Sequence, residues 1–382
     1  MSDFKLVATA AFGLESVVAY ELKRLGLEKS GTENGRISFS GTERDVARTN
    51  IWLRTADRVL IEAARFPASD FEELFQGVRK VPWEDIIPVD GAVHVTGRSV
   101  RSKLSSVPAC QSVVKKAVIE ALKRKHRAET FAETGPRFVI EVSLNKDVAM
   151  IDIDTTGPGL HKRGYRSAAG EAALKETLAA GLVYLSRWKP GMVLADPFCG
   201  SGTIAIEAAM IGRNIAPGIT RRFASEKWAF ISSEVWEEAR REAESLANRE
   251  KLHILASDID ETVLLKARRN ARHAGVLSAI DLKRHDFREL PLDAGGGIVV
   301  SNPPYGERSG DRRTAMELAR EMGAVFTRFP GWSFFVLTGF EEFEKHYGKH
   351  ADSNRKLYNG RIKCYLYEYR SKFKVQDSRE KV

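Results

Sequence analysis

Apolar and polar positions alternate along the chain with two periods, one typical of strands and one typical of helices. Short apolar runs predict strands, whereas apolar residues that recur every three or four positions predict amphipathic helices. Within residues 1–65, two such helices lie between three short strands, and this order predicts a ferredoxin-like N-terminal unit. The predicted strands are 5–8, 36–39 and 58–62, and the predicted helices are 14–25 and 42–51.

A second α+β region follows, over residues 66–160. Its long helix carries many basic residues beside an apolar stripe from Val113 to Leu122, and residues 97–104 are expected to form a basic turn ahead of that helix. Glycines and a proline in 155–165 indicate a hinge. The other predicted elements are a helix at 71–78 and strands at 92–95, 138–142 and 148–152.

From residue 161 to 375, strands and helices alternate in the order that builds a doubly wound α/β sheet. The last two strands are expected to finish the sheet as an antiparallel hairpin, and residues 376–382 are expected to form a flexible tail. The predicted helices are 175–188, 204–209 and 263–274, and the predicted strands are 192–195, 253–258, 298–300, 334–338 and 363–367.

The composition is that of folded domains. The 382 residues are 43% hydrophobic, which is enough for well-packed cores. No run of 18 apolar residues predicts a membrane span, and the first residues lack the apolar stretch of a signal peptide, so we expect a cytoplasmic location. The three cysteines, Cys110, Cys199 and Cys364, are too far apart for a CxxC metal site or a disulfide framework, and we expect no metal.

A glycine turn between a predicted strand and a predicted helix carries the first candidate chemistry. The glycines of DPFCGSGT allow positive φ and let a ligand approach the backbone. The aspartate would repel a phosphate but attracts an ammonium, such as that of S-adenosylmethionine. A dinucleotide-binding turn expects an acidic residue about 20 positions later, but the next good candidate, Asp258, comes much later. A triphosphate-binding loop expects Gly-Lys-Ser/Thr, which does not follow this turn. The candidate cofactor residues here are Asp196, Phe198, Gly200, Gly202 and Thr203.

Two later acidic positions extend this candidate cofactor site. Asp258 closes an apolar run, where its carboxylate can accept both ribose hydroxyls, and Asp260 is the alternative for that contact. Asp286 can accept a hydrogen bond from an adenine amine, with Phe287 beside the ring. A simple capping or turn aspartate explains Asp286 almost equally well.

The second motif, SNPPYGER, begins at Ser301 after an apolar strand and narrows the chemistry to transfer onto nitrogen. Ligands of open α/β sheets bind at the carboxyl ends of the strands. There the Asn302 side-chain oxygen and the Pro303 carbonyl can accept hydrogen bonds from a planar amine, and Tyr305 offers a ring to the base. Pro304 completes the motif, whose plainer interpretation is a proline-rich turn. Because no cysteine stands in it, methylation of carbon through a covalent adduct is disfavoured.

Positive charge is concentrated in residues 98–127, which hold nine Lys or Arg against one acid, Glu120. This segment is a candidate surface for nucleic-acid phosphates, although a solvated helix face is the plainer interpretation. The candidate RNA-binding residues in it are Arg98, Arg101, Lys103, Lys115 and Lys116.

With these motifs, the chain resembles the THUMP-containing class I RNA methyltransferases, most closely the bacterial 23S rRNA guanine-N(2) methyltransferases. The resemblance also involves residues 160–166 and 358–364, whereas Ala172-Ala173-Leu174-Lys175-Glu176 lacks a proline that the family often has. It implies a Rossmann-like methyltransferase domain at 161–375, a THUMP RNA-binding domain at 66–160, and S-adenosylmethionine as cofactor. It also implies that Arg163, Tyr165 and Arg166 lie near the cofactor or substrate entrance, and Arg163 and Arg166 are further candidate RNA-binding residues.

The hypothesis from sequence is therefore methylation of the exocyclic amine of a guanine in large-subunit ribosomal RNA, free or in a ribosomal precursor, with the base turned out of its stack. No obligate protein partner is inferred. Two alternatives stay open: an adenine-specific DNA methyltransferase, since NPPY suits any planar amine, and a non-catalytic RNA-binding or ribosome-assembly protein. No separate DNA target-recognition domain is evident in the sequence.

Overall fold

The computed structural model describes residues 3–127, 130–166, 174–292, 295–304 and 311–371. Within these ranges the strands form two seven-stranded sheets, one in each half of the chain. No helix in the same ranges is both long and apolar enough to cross a membrane.

The N-terminal half is built on a single continuous sheet of order β2-β3-β1-β4-β7-β6-β5. Neighbouring strands are antiparallel except β5 and β6, which are parallel. Its elements are β1 (Phe4–Ala10), α1 (Glu15–Arg24), β2 (Lys29–Glu33), β3 (Arg36–Gly41), α2 (Glu43–Trp52), β4 (Ala56–Pro67), α3 (Phe71–Arg79), β5 (Ala92–Val100), α4 (Val107–His126), β6 (Arg137–Asn145) and β7 (Val148–Asp154).

The twelve-residue strand β4 joins the two parts of this sheet. It pairs with β1 of the ferredoxin-like part on one side and with β7 on the other. Residues 65 and 66, where the sequence predicts a domain boundary, both lie inside this strand. The ferredoxin-like unit and the region after it therefore share backbone hydrogen bonds through one strand.

The C-terminal half holds a sheet of order β10-β9-β8-β11-β12-β14-β13. The first five strands in this order are parallel, and β14 is antiparallel to both β12 and β13. Its elements are α5 (Glu176–Leu185), β8 (Val193–Asp196), α6 (Thr203–Gly212), α7 (Ser233–Leu246), β9 (His253–Asp258), α8 (Glu261–His273), β10 (Ile280–Arg284), β11 (Gly297–Ser301), α9 (Asp311–Phe326), β12 (Trp332–Thr338), α10 (Phe343–Tyr347), β13 (Ser353–Asn359) and β14 (Ile362–Tyr369).

The two halves are packed tightly against each other. Leu14 of the N-terminal half is fully buried in the core of the C-terminal half and approaches Gly181 of α5, where a Cβ would lie 2.7 Å from the leucine Cδ2. The Gly218 N–H donates to the Ile51 carbonyl at 2.9 Å. The predicted hinge is also tied down, since Asn50 Nδ2 donates to Thr155 Oγ1 at 2.8 Å. The N-terminal half is thus held at a fixed position relative to the second sheet.

Most predicted elements are present, but two local predictions were wrong. Residues 97–99 belong to β5 rather than to a turn, because β6 pairs with that whole strand. The last two predicted strands, β12 and β14, do pair antiparallel, but they are not a hairpin because α10 and β13 lie between them in the chain. The closing hairpin is formed by β13 and β14. The strand before Asp286 ends at Arg284, and 287–289 form a short 3-10 turn. Ala172, Ala173, Tyr305 and the predicted tail lie outside the described residues.

Candidate active site

The glycine turn joins the end of β8 to the start of α6, and its two glycines have different tasks. Both have positive φ, +51° at Gly200 and +85° at Gly202. A Cβ on Gly202 would lie 3.1 Å from the Ala267 Cβ, so this glycine permits close packing of α6 on α8. A Cβ on Gly200 would meet no atom within 4 Å, so the backbone there borders open space. A ligand can approach the chain at Gly200.

Asp196, at the end of β8, is buried and only half satisfied. Its Oδ1 accepts the Phe198 N–H at 3.3 Å, while Oδ2 is buried with no hydrogen-bond partner among the described residues. Burial, with a smaller contribution from the nearby charge of Asp258, raises the pKa of this carboxyl well above its usual value. A buried oxygen without a donor needs one from a ligand, and a cationic donor would also favour the ionised form.

The two acids after β9 have distinct roles. Asp258 is half-buried and accepts the N–H groups of Gly200 and Asp260, each at 3.0 Å, so it joins the glycine turn to the start of α8. Asp260 is exposed and caps α8 by accepting the Thr262 N–H at 2.7 Å. Asp258 retains acceptor positions on both oxygens and lies nearer the turn, which favours it over Asp260 as the ribose ligand.

An aromatic pair and an exposed apolar residue flank these acids. The rings of Phe198 and Phe287 lie 4.8 Å apart, which brings the turn and the Asp286 segment together. The Asp286 carboxylate accepts the Arg288 N–H at 2.9 Å and pairs with its guanidinium at 2.8 Å. Its described contacts are thus those of a capping residue. Ile259, which the sequence analysis did not name, is an apolar side chain 59% exposed beside Asp258.

The acceptor motif lies at the carboxyl end of β11, directly beside β8. Parallel neighbours are about 4.8 Å apart, so Asn302 is adjacent to the glycine turn. The Asn302 Oδ1 and Ser301 Oγ atoms are buried without a hydrogen-bond partner in the described part of the chain. Pro303 is buried and Pro304 exposed. Buried polar atoms without described partners therefore lie at the carboxyl ends of two neighbouring strands.

Arg163 is not at the RNA surface, which corrects the prediction for this residue. Its side chain is 2% exposed, and its Nε and Nη2 atoms each lie 3.4 Å from the Glu207 carboxylate. It also donates to the carbonyls of Leu160 and Arg54, and Tyr165 donates its hydroxyl to Glu207 at 3.1 Å. Arg163 thus neutralises a buried charge on α6 and connects α6 to the N-terminal half.

Arg166 lies beside the cofactor turn, where the resemblance placed it. Its Nη2 donates to the Thr203 hydroxyl at the start of α6 and to the Leu174 carbonyl, and its Nε lies 3.3 Å from Glu176. Only 14% of the side chain is exposed. These contacts fit a residue that shapes the turn better than one that holds an RNA phosphate.

Cys199 lies within the turn, in surroundings that disfavour a reactive thiolate. It is buried, and burial together with the charges of Asp196 and Asp258 raises the pKa of its thiol above the usual range. A neutral thiol is a poor nucleophile. This agrees with the absence of a cysteine from the acceptor motif.

The basic segment is largely exposed, but its cations differ in their partners. Lys115 pairs with Glu133 at 2.9 Å, and Arg98 donates to the Ser143 hydroxyl at 2.8 Å while lying 3.6 Å from Glu141. Arg101, Lys103 and Lys116 are exposed, and within the described ranges no ion pair engages them. These three cations are the freest to meet phosphates.

The strand order, the glycine turn and the acids at successive strand ends define a class I methyltransferase. The residues also suit S-adenosylmethionine: a buried aspartate oxygen lacks a donor, and the backbone is open at Gly200. Family models confirm this class. Residues 163–368 match the RMKL-like methyltransferase domain, residues 5–60 the RlmL ferredoxin-like domain, and residues 68–154 the THUMP domain.

The chain belongs to the RMKL-like methyltransferase family, and S-adenosylmethionine is its cofactor. It is 46% identical over 379 residues to a Bacillus subtilis protein named "Putative RNA methyltransferase YpsC", covering 98% of both chains. It is 37% identical to "Ribosomal RNA large subunit methyltransferase K/L" of Syntrophotalea carbinolica, covering 96% of this chain and 54% of that protein. The chain thus spans about half the length of that relative.

Solved structures of similar proteins share the whole architecture. A Listeria monocytogenes protein described as "a predicted N6-adenine-specific DNA methylase" is 48% identical, with a TM-score of 0.91 and 97% of each chain covered. SMU.472, described as "a putative methyltransferase complexed with SAH", is 44% identical, with a TM-score of 0.90, covering 97% of this chain and 98% of that one. The resemblance found in the sequence is confirmed at the level of family and fold.

Proposed function

We propose that this protein methylates the exocyclic N2 amine of a guanine in large-subunit ribosomal RNA. The observation that carries the proposal is the buried Oδ1 of Asn302, which has no hydrogen-bond partner among the described residues and directly follows β11, the strand beside β8. Such an oxygen needs a donor, and a planar amine with two N–H groups supplies one. We assign the second N–H to the Pro303 carbonyl, and Tyr305 to the face of the base.

The catalytic contribution of the chain is positioning. S-adenosylmethionine, when bound, supplies an electrophilic methyl group on its sulfonium. Asn302 and Pro303 accept from the amine, which directs the nitrogen lone pair toward the cofactor side of the crevice and increases its electron density. The alkylated nitrogen is acidic and loses its proton to solvent, so no strong general base is needed. Because Cys199 is a buried neutral thiol, transfer to carbon through a thiol adduct is excluded from the proposal.

RNA is favoured as the substrate by the N-terminal half. A THUMP domain at 68–154 presents exposed cations of α4 and of the loop between β5 and α4, and the two relatives are named as RNA and ribosomal RNA methyltransferases. The large-subunit ribosomal RNA target rests on the second of these names, and the guanine N2 position rests on the family resemblance. Arg101, Lys103 and Lys116 are the residues to which we assign RNA phosphates.

Replacing Asn302 with Ala tests the proposal. We expect methyl transfer to fall at least about a hundredfold, since removing one preorganised hydrogen-bonding group has that effect in other enzymes. Affinity for S-adenosylhomocysteine should change less than about twofold. Asn302→Asp keeps an acceptor oxygen and should retain more activity than Asn302→Ala, whereas Asn248→Ala, at an exposed site, should behave as wild type. Full activity of Asn302→Ala would show that Asn302 does not have the assigned role.

The substrate is identified with tritiated cofactor and two acceptors, ribosomal RNA from a strain lacking the protein and duplex DNA. Label in RNA that digests to N2-methylguanosine would support the proposal. Label in DNA adenine would support the alternative, for which the description of the Listeria protein provides a specific reason. Absence of label in both would favour a non-catalytic role in RNA binding or assembly.

A further inference from the structure

The active-site edge of the second sheet extends well beyond the methyl-transfer motifs. Thr338 at the end of β12 pairs with Tyr365, which in turn pairs with Lys356 of β13. Because β12 is parallel to β8 and β11, the end of β13 lies at the same edge as Asn302. Three strand spacings separate β13 from β11, which corresponds to about 14 Å.

An exposed aromatic cluster lies at that position, formed by Phe12, Lys356 and Tyr358, and we call it the rim cluster. Phe12 is 52% exposed, and its ring meets that of Tyr358 edge to face at 6.1 Å. Lys356 Nζ lies 5.9 Å from the Phe12 ring and 5.4 Å from the Tyr358 ring. Lys356 has no carboxylate partner among the described residues. The cluster thus combines an exposed ring with a free positive charge.

The rim cluster is held in place from both halves of the molecule. Arg355 Nη1 donates to the Gly13 carbonyl at 3.1 Å, and a Cβ on Gly13, whose φ is +92°, would lie 2.5 Å from the Lys356 carbonyl. Gly13 therefore lets the Phe12 loop pack against β13. An exposed ring that is fixed in this way loses little conformational entropy when a ligand stacks on it.

The cluster is also connected to the cofactor turn. Asn359, next to Tyr358, accepts the Lys175 N–H at 3.2 Å. Leu174, the preceding residue, accepts a hydrogen bond from Arg166, which in turn donates to Thr203 in the turn. A short chain of contacts thus fixes the rim cluster relative to the reaction centre.

We propose that the rim cluster stacks an unpaired nucleobase of the RNA substrate that flanks the target nucleotide, with Lys356 contacting an adjacent phosphate. Bases stack on aromatic side chains without strong sequence preference, and a nearby cation adds phosphate affinity. A distance of about 14 Å places the rim cluster beside nucleotides that flank the target rather than beside the target itself. This inference rests on the proposed RNA substrate and adds a second contact that positions the target base.

The test measures binding separately from catalysis. Fluorescence anisotropy compares a labelled single-stranded RNA with an abasic RNA of the same length and charge. We expect Phe12→Ala to weaken binding of the normal RNA about five- to tenfold while leaving the abasic RNA nearly unaffected. Phe12→Tyr should restore binding. The matched control is Leu246→Ala, at a 48% exposed apolar position on α7, which should bind both RNAs as wild type.

A second readout links the rim cluster to the reaction. With ribosomal RNA as acceptor, Phe12→Ala should raise KM about five- to tenfold with little change in kcat or in affinity for S-adenosylhomocysteine, because stacking binds the ground and transition states alike. Lys356→Ala should weaken binding of both the normal and the abasic RNA and reduce the salt dependence of that binding. If Phe12→Ala binds both RNAs as wild type, the inference is overturned. Failure of wild type to methylate ribosomal RNA would overturn the proposed function instead, since the abasic comparison does not depend on turnover.

Discussion

Two buried carboxylates, one on either side of the start of α6, differ in a way that separates scaffold from site. Glu207, one turn into α6, is completely buried, yet it meets the Arg163 guanidinium and the Tyr165 hydroxyl. Asp196, seven residues before α6, is 1% exposed and leaves one oxygen without a partner in the described residues. Both acids are buried, but within the described part of the chain only Glu207 has protein partners for its whole carboxylate.

The difference shows how a buried charge can be interpreted. A carboxylate that is fully paired within the protein holds elements together, and removing its partner leaves an uncompensated charge. A carboxylate that is buried without a partner lowers the stability of the free protein and is explained by a ligand. Glu207 therefore belongs to the seam between the two halves, whereas we propose that Asp196 binds the cofactor.

The largest expected effect comes from breaking the paired acid. Arg163→Met leaves Glu207 buried without its cation and should lower the free energy of unfolding by about 3–5 kcal/mol, as measured by urea denaturation. Arg222→Met removes an 85% exposed partner of Glu226 and should cost less than about 1 kcal/mol. Wild-type stability together with weakened RNA binding in Arg163→Met would restore the role predicted from the sequence.

Replacing the unpaired acid, Asp196, should raise the free energy of unfolding rather than lower it. The folded pKa of Asp196 is raised, so its contribution favours the native state at low pH and is lost as pH rises through the folded pKa. Asp196→Asn should therefore be about 1–3 kcal/mol more stable than wild type at pH 8 and nearly equal to it at pH 4. Thermal unfolding at the two pH values measures this difference.

The same variant should bind S-adenosylhomocysteine at least about tenfold more weakly, because the ammonium loses its counter-charge. Glu237→Gln, at an exposed acid of α7 that pairs with Arg241, is the matched control and should change neither property. A destabilised Asp196→Asn with normal cofactor affinity would show that Asp196 belongs to the scaffold after all.

The smallest effect concerns two adjacent lysines on α4. Lys116 is exposed without a carboxylate partner in the described ranges, whereas Lys115 pairs with Glu133. Lys116→Ala should weaken RNA binding about two- to threefold and reduce the slope of log K against log salt by about 0.7–0.9, as expected for one phosphate contact. Lys115→Ala should weaken RNA binding less, because Lys115 already pairs with Glu133. Equal effects would mean that RNA displaces Glu133.

The motifs were predictable from the sequence because they depend on local backbone needs. Gly200 and Gly202 have the positive φ that their turn requires, and Asp258 closes its strand as predicted. The environment of Arg163 was not predictable, because its partners come from residues 54 and 207 and only the fold brings them together. The rim cluster was missed for the same reason: Phe12 and Tyr358 are separated by most of the chain.

Strand β4 has a consequence for how a substrate is chosen. Its twelve residues extend about 40 Å and belong to the ferredoxin-like and THUMP parts at once, so neither can swing independently of the other. Since the N-terminal half is also packed against the second sheet, the distance between the THUMP domain and the methyl-transfer site is fixed. Under the proposed function, we therefore expect methylation only of an RNA whose target nucleotide lies at that fixed distance from the segment bound by the THUMP domain.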